Sequence, residues 1–485
     1  MSSLCNKRIS NTSANDIKCE RKQLQVSHII RLIWMLLSIF LLILISSCNG
    51  GSLLNQSLNS AGNNRPELEK VLDHYKDDAE KLSAAKFLIE NMLAHYSYKD
   101  HDAIIRYYEF AESVLASDMT PEKQRDTLLS VSDSLYRDLP KQTVPDAQII
   151  TSEFLIHTID LAYNQWKTCP WAVQVTFDDF LEYLLPYKAT ELQELDYWRD
   201  SLYYHFSDGL SNLIPNDVEY NTTMGIADMI RNEVLNKINR HGLYTRSGLP
   251  LLNSYLLPRQ TFGNIPDYVL LSVLTFRSTG IPVVQDETPV GSRYEAAAKW
   301  FVTMGDNGEK SWSEWDLSTT IGSGFFPYER GPKVFRNTYA INPDRFEYSR
   351  KTKFLIPFDL GKKDITDQYF RTSDISVPIN KSQRKTLKDK YVYIASAIRQ
   401  KDPKTDSVIA GTHDWAIVDF GRMKHGNAQF MKMGREVLYQ VLGYDGKELK
   451  EIAEPFILHK DGMIEYILSD TVSSKNLDKW RNNPL

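Results

Sequence analysis

Ile265-Pro266-Asp267-Tyr268-Val269-Leu270-Leu271-Ser272-Val273-Leu274-Thr275-Phe276-Arg277-Ser278-Thr279-Gly280-Ile281-Pro282-Val283-Val284 is the stretch on which the fold turns. Pro266 suits a first helical turn and Gly280 suits the left-handed position past a helix end, so the two punctuate a helix over 267–279. Ile281-Pro282-Val283-Val284 then begins an extended segment. Ala298, Trp300, Val302 and Met304 alternate with Ala297, Lys299, Phe301 and Thr303, which is the period of a strand. Asp306-Asn307-Gly308 supplies a hairpin turn leading to Trp312–Asp316. A helix packed on an antiparallel sheet is the consequence.

Upstream, residues 66–240 read as a helical region. Ala85, Ile89, Met92 and Tyr96 recur at helical spacing, as do Ile150, Phe154, His157 and Leu161. Thr176-Phe177-Asp178-Asp179 reads as a cap opening a short helix that stops before Pro186. No fixed-period repeat marks a solenoid. The mixed core covers 241–320, and Gly322, Gly324, Pro327, Gly331 and Pro332 indicate a linker over 321–333. From 334 to 485 short alternating strands follow: Phe335–Ile341, Ile375–Ile379, Tyr391–Ile398, Trp415–Phe420, Gln429–Met433, Val437–Leu442 and Met463–Leu468. Asp445-Gly446 and Asp461-Gly462 supply turns between them. This pattern predicts a C-terminal antiparallel β-sandwich, and the expected class is α+β, multidomain.

The chain has 485 residues, 42% apolar and 25% charged, which suits packed domains and not a disordered polyelectrolyte. Its 57 basic and 62 acidic side chains leave a formal charge of −5, without the basic excess that nucleic acid demands. Four cysteines in so long a chain make no disulfide framework, and no Cys/His spacing suggests structural zinc. Lys7, Arg8, Lys18, Arg21, Lys22 and Arg31 precede an apolar run from Leu32 to Ile45, the order of an export signal and too short for an ordinary membrane span. The run ends in Ile45-Ser46-Ser47-Cys48, which resembles the lipobox of bacterial lipoproteins. That resemblance implies a signal peptide over 1–47, lipid on Cys48, and attachment to the membrane. Residues 48–65 are polar and turn-forming and read as a tether. Asn49 is not the aspartate associated with retention on the inner membrane, so the outer membrane is expected, on its periplasmic or outer face.

Within 241–320, Thr261-Phe262-Gly263-Asn264-Ile265-Pro266-Asp267, the helix to Arg277, Gly280-Ile281-Pro282, Ala298-Lys299-Trp300 and Trp315-Asp316 resemble the transglutaminase-like fold, related to papain-like thiol enzymes. The long helical segment before this core and the β-rich part after it are similar to bacterial lipoproteins that carry such a domain centrally. In that family a cysteine opens the helix, a histidine stands two residues before a strand tryptophan, and an aspartate ends the next strand. The resemblance places Ile265 and Ala298 where the cysteine and histidine belong, and only Asp316 matches. Neither hydrocarbon side chain can attack a carbonyl or carry a proton. Misalignment does not rescue the pair, because no cysteine follows Cys169 and no histidine lies between His241 and His413. If the motif placement holds, Ile265 and Ala298 face each other across a cleft near Asp316, with Asn264, Asp267, Tyr294, Trp300 and Trp312 about it.

Other residues offer little chemistry. Cys169 reads as a buried thiol, His157 as a core histidine on an apolar stripe, and His241 as a helix C-terminal residue. His413, Asp414 and His425 make a weak metal pattern, and Ser272 and Thr261 have no adjacent base. No metal or cofactor is assigned. The expected function is a membrane-anchored lipoprotein whose inactive transglutaminase-like domain binds a peptide or glycan. The alternative is an active enzyme of amine transfer to glutamine, or of thiol-dependent peptide cleavage, with a nucleophile elsewhere.

Overall fold

The computed structural model describes residues 52–131, 142–173, 175–206, 227, 249–260, 262–263, 265–290, 297–304, 310–313, 330–354, 359–401 and 408–467. Helices dominate its first part. Helix α1 (Arg65–His74) carries Pro66 in its first turn; α2 (Ala79–Asn91) and α3 (His101–Leu115) are capped by Asp78 and Asp100, whose carboxylates accept the N–H of Lys81 and Ala103. Each cap supplies an acceptor to an N–H that the helix leaves unpaired. Next come α4 (Pro121–Val131), α5 (Ser152–Thr168) and α6 (Trp198–Phe206). Helices α1, α2 and α5 pack on one another. A ribbon of β1 (Tyr96–Tyr98) and β2 (Thr143–Pro145) links the end of α2 to the approach to α5. Thr176 caps Phe177–Asp179 as expected, and the chain continues as a π-helical turn, Phe180–Leu184. Of the expected helical region, most of 207–248 lies outside the described residues.

The apolar stripe of α5 runs through Phe154, Leu155, Thr158, Ile159 and Ala162, not through His157. His157 is exposed, and its Nε2 pairs with Asp200 at 2.7 Å. It is therefore not a core histidine. The correction is one of phase: Leu155 and Thr158 share the buried arc, and a stripe drawn through 150, 154, 157 and 161 leaves it.

Helix α7 (Ile265–Ser278) ends where Gly280 takes φ +85°, as the sequence predicts. It packs on the central strands of a five-stranded antiparallel sheet of order β5-β4-β3-β6-β7, made of β3 (Val283–Thr288), β4 (Ala298–Met304), β5 (Lys310–Ser313), β6 (Phe335–Asn337) and β7 (Lys362–Asp364). Every residue of β3 is buried, because the helix covers one face and an apolar cluster covers the other. On the helix face Phe276 meets Phe301 at 5.4 Å, and Arg277 donates to the carbonyl of Val283. The opposite face holds Val284, Trp300, Val302, Val334 and Ile365.

The C-terminal strands are β8 (Thr372–Pro378), β9 (Tyr391–Lys401), β10 (Val408–Lys424), β11 (Asn427–Gly434), β12 (Val437–Tyr444), β13 (Leu449–Glu451), β14 (Phe456–Leu458) and β15 (Ile464–Tyr466). They form one curled antiparallel sheet of eight strands, path β15-β14-β12-β9-β10-β11-β8 with β13 beside β12, where two facing sheets were expected. Its concave core gathers Val377, Val392, Ile394, Val418, Phe430, Val441 and Phe456, and Val290 from beyond β3 enters the same core. Helix α8 (Pro343–Lys351) covers the other face, where Tyr348 stacks on Phe420 at 4.3 Å and meets Tyr391 edge-on. The expected strand at Phe335 belongs instead to the central sheet, paired with β3 through Asp286↔Arg336. Residues 330–333, expected as the end of a linker, are packed: Gly434 donates to the Pro332 carbonyl at 3.1 Å, and a side chain on Gly434 would collide with the Gly331 carbonyl. The described residues from Ser57 onward belong to one compact unit. Among the described residues no helix is long and apolar enough to cross a membrane.

Gly280 tests the helix end. A Cβ there would lie 3.1 Å from Cys169 Sγ, whereas Gly62 has φ +57° and nothing within 4 Å of an added Cβ. Gly62→Ala should cost only the left-handed backbone penalty, about 1 kcal/mol, and Gly280→Ala measurably more in chemical denaturation. Adding Cys169→Ala to Gly280→Ala should recover part of the excess, since the Cβ of residue 169 stays 3.3 Å away, and a double-mutant cycle reads that part directly.

Candidate functional site

The expected cleft was built on α7 and β4. Ala298 does share a face with Trp300, as period two requires, and both contribute to the apolar cluster with Val284 and Val302. That face is turned away from α7, because the helix meets β4 through Phe301. Strand register thus gives no support to a cleft in which Ala298 faces the helix start. Trp300 is 4% exposed; its Nε1 donates to Tyr369 Oη at 2.9 Å, and Tyr369 donates to Asp286 at 2.6 Å. Asp286 is in turn held by both arms of Arg336, at 2.9 and 2.8 Å. Trp300 is therefore a core residue wired to a buried ion pair, not the wall of an open cleft. Asp267 sits in the first turn of α7, near the Gln260 amide at 3.4 Å. The backbone of Trp312 pairs with Val302. Asn264, Tyr294, Asp316, Cys48, Thr261 and His241, and the side chains of Ile265, Trp312 and His413, lie outside the described residues.

The remaining candidates are structurally occupied. Cys169 ends α5 with its thiol against Gly280, and burial pushes its pKa up to about 11, so at neutral pH it is a thiol and not a nucleophile. Ser272 is buried in α7 with its hydroxyl unpaired. His425, φ +50°, and Gly426, φ +87°, form the turn between β10 and β11, where left-handed backbone is what a tight hairpin demands. Asp414 is exposed on β10. No group of three His, Cys, Asp or Glu among the described residues has the arrangement to hold a metal.

What the structure does form is a groove of about 430 Å³, lined by polar and apolar groups in similar measure, where the two sheets and α8 meet. Its walls are Asn342, Asp344 and Arg345 from α8 and its cap, Lys363 and Asp364 from β7, Asp419–Arg422 from β10, and Gln429, Met431 and Lys432 from β11. Strand pairing explains the opening. Strands β10 and β11 pair through Arg422↔Gln429, Met423↔Ala428 and Lys424↔Asn427; beyond Gln429, β11 follows β8 instead, so the two strands part. Gly421 sits at the fork, where a Cβ would collide with the Gln429 carbonyl. A shift of register in β10 between Ile417 and Asp419 aims Asp419 toward the fork.

Behind the lining, beneath Asp364 and Asp419, lies Lys333, fully buried. Its ammonium pairs with Asp364, lies 3.1 Å from Asp419 and donates to the Met431 carbonyl at 2.7 Å. Burial opposes its charge, but the two carboxylates prevail and raise its pKa. Arg345 is also buried, 3.7 Å from Asp419 and over the ring of Phe335 at 4.6 Å. Sequence reading missed this site because its residues come from five separate segments and share no motif.

A second cluster of buried charge joins the helical region to the central sheet. His95 Nδ1 meets Glu191 at 2.8 Å and Nε2 meets the Tyr339 carbonyl at 3.0 Å, while Lys188 pairs with Asp146 at 2.5 Å. Both ring nitrogens face acceptors, so the ring is an imidazolium donating twice. Burial works against that charge and the Glu191 carboxylate outweighs it, raising the histidine pKa. Arg277, Glu182, Tyr187 and Tyr339 complete the surroundings, and the adjoining cavity of about 20 Å³ has room for little more than a water.

Two stability predictions follow from these clusters. Lys333→Met leaves Asp364 and Asp419 facing each other's charge and should cost about 3 kcal/mol in urea unfolding, far more than Lys363→Met at the rim. His95 has a raised folded pKa, so its contribution is fully present below the unfolded value and is lost as pH rises through the folded one. Unfolding midpoints should fall as pH rises above about 6.5, and His95→Gln should flatten that step. No family model, curated protein or solved structure matches the chain, so what it does rests on this geometry.

Proposed function

We propose that the chain is a membrane-anchored lipoprotein, tethered through lipid on Cys48 to the outer membrane, that binds a peptide or glycan. Its transglutaminase-like core and C-terminal strands serve as scaffold and not as catalyst. The observation that carries this reading is the state of Cys169, the only free cysteine among the described residues. Its thiol is kept protonated by burial, packs against Gly280, and has no imidazole among its described neighbours. Amine transfer or peptide cleavage by a thiol needs an activated thiolate with a base in reach. Three of the described histidines are held by carboxylates: His95 by Glu191, His157 by Asp200, and His459 by Glu465. A helix lying on an antiparallel sheet accords with the α+β class of that core, although Ala298 faces away from the helix, and the open groove supports binding.

The full chain incubated with a primary amine and a glutamine peptide should incorporate none. Its Cys169 should resist a thiol-directed reagent at neutral pH and react only as the pH approaches the thiol's raised value. Turnover abolished by Cys169→Ala would overturn the reading in favour of a thiol enzyme. Cys48→Ala should move the protein from the membrane fraction to the soluble one; unchanged membrane association would refute the lipid tether.

A further inference from the structure

We infer that the groove at the fork of β10 and β11 takes a neutral, polyhydroxylated ligand, a short glycan segment, read chiefly by Gln429, Asn342 and Lys363. The inference rests on the binding reading above and narrows it to one site and one chemistry.

Charge is the first argument. Although the groove is rich in ionic side chains, all but Lys363 have opposite charges beside them, in the groove or just outside it. Lys333 lies between Asp364 and Asp419, Arg422 meets Glu347 at 2.8 Å, and Lys432 meets Asp367 at 3.0 Å. A wall compensated in this way projects no strong field of either sign, and a polyanion would gain little there. Phe420 stacks against Tyr348 and also lines the groove, and an aromatic ring beside polar groups suits the apolar face of a sugar ring.

Uncommitted polar atoms are the second argument. The Gln429 amide lines the groove half-buried and makes no side-chain hydrogen bond to any described residue. Asn342 spends its Oδ1 on the N–H groups of Asp344 and Arg345, at 3.0 and 3.2 Å, while its Nδ2 has no such partner. Lys363 is exposed and lacks an ion-pair partner among the described residues. Asp344, an acceptor 84% exposed, lines the same groove. Donors and an acceptor thus share one groove. A sugar hydroxyl both donates and accepts, so a run of them satisfies both kinds at once, which neither a carboxylate nor an ammonium ligand can do. The volume, about 430 Å³, falls in the ordinary range of small-ligand sites and accommodates a short saccharide. Walls built from a helix cap and strands are rigid, so little ordering is lost on binding.

The test is calorimetric titration of the full chain in detergent with cellohexaose, maltohexaose, mannohexaose and N-acetylchitohexaose. Hexagalacturonate and a mixed hexapeptide library serve as comparators. At least one neutral oligosaccharide should bind with an affinity insensitive to added salt. Gln429→Ala and Lys363→Ala should each weaken it about tenfold without moving the thermal midpoint. Neutral binding untouched by both variants would overturn the groove while leaving a binding protein. Binding of only hexagalacturonate or peptides would overturn the ligand class and again spare the binding reading. Absence of binding to every neutral sugar would overturn the inference outright, whereas the binding reading itself fails on turnover in the amine-transfer assay.

Discussion

The ammonium of Lys333 has no exposed surface, so each of its N–H bonds must end on an acceptor, and the acceptors come from three different strands. Asp364 is on β7 of the central sheet; Asp419 and the Met431 carbonyl are on β10 and β11 of the curled sheet. A buried charge left unpaired is far costlier than a lost contact. That asymmetry fixes the two sheets in one relative placement, because any slip of β7 past β10 strips the ammonium of a carboxylate. Asp364 is itself held from behind by the N–H and hydroxyl of Thr366, at 3.0 and 2.6 Å, so the clamp is rigid on the central-sheet side. The buried ion cluster that fixes this junction is also what leaves the groove beside it nearly neutral.

The same logic joins the helical region to the central sheet, with a short belt of chain in place of a single ion. After β6 the chain runs across the helices: Asn337 donates to Ala189 at 3.0 Å, Tyr339 Oη to Leu88 at 2.9 Å, and the Ile341 N–H to Asn91 at 2.9 Å. The His95 ring stacks on Tyr339 at 4.1 Å, and Glu182 accepts the Tyr339 N–H. An extended belt has backbone groups that no sheet satisfies, and buried side chains supply the missing partners. Asn342, which ends the belt, caps α8 and lines the groove, so the placement of the helices is transmitted to the groove wall through a few residues.

How much of this was legible in the sequence follows from the range of each interaction. Helix α7 was readable because Pro266 and Gly280 act on their own dihedrals, and the turns at Asp445-Gly446 and Asp461-Gly462 were readable for the same reason, with φ +105° and +88° at the glycines. The strand at Phe335 was readable as a strand but not as a member of the central sheet, since alternation reports a face and never a partner. His157 was misplaced because a stripe through its neighbours can be drawn in more than one phase, and only the packing of α1 and α2 on α5 selects the buried one. Trp300 was legible as an inward residue, while its hydrogen bond to Tyr369, sixty-nine residues later, was not. Lys333 is the extreme case, since nothing about a lysine beside Pro332 indicates that two distant aspartates will bury it.

The groove itself arises from a conflict between pairing and curvature. Strand β10 is 17 residues long and pairs with β9 over most of that length, whereas β11 leaves it beyond Gln429 to stay with β8. A curled sheet can satisfy both neighbours only by opening somewhere, and it opens where Lys432 takes φ +46° and the β11 register shifts. The backbone groups freed by that fork need partners, and Lys333 supplies one to Met431. Asp374 accepts the Lys432 N–H at 2.8 Å, and the Gln429 amide remains open to the groove. A fork of this kind therefore draws side chains such as Lys333 and Asp374 to its backbone and opens a groove beside the free Gln429 amide, which is the raw material of a site for hydroxyl-bearing ligands.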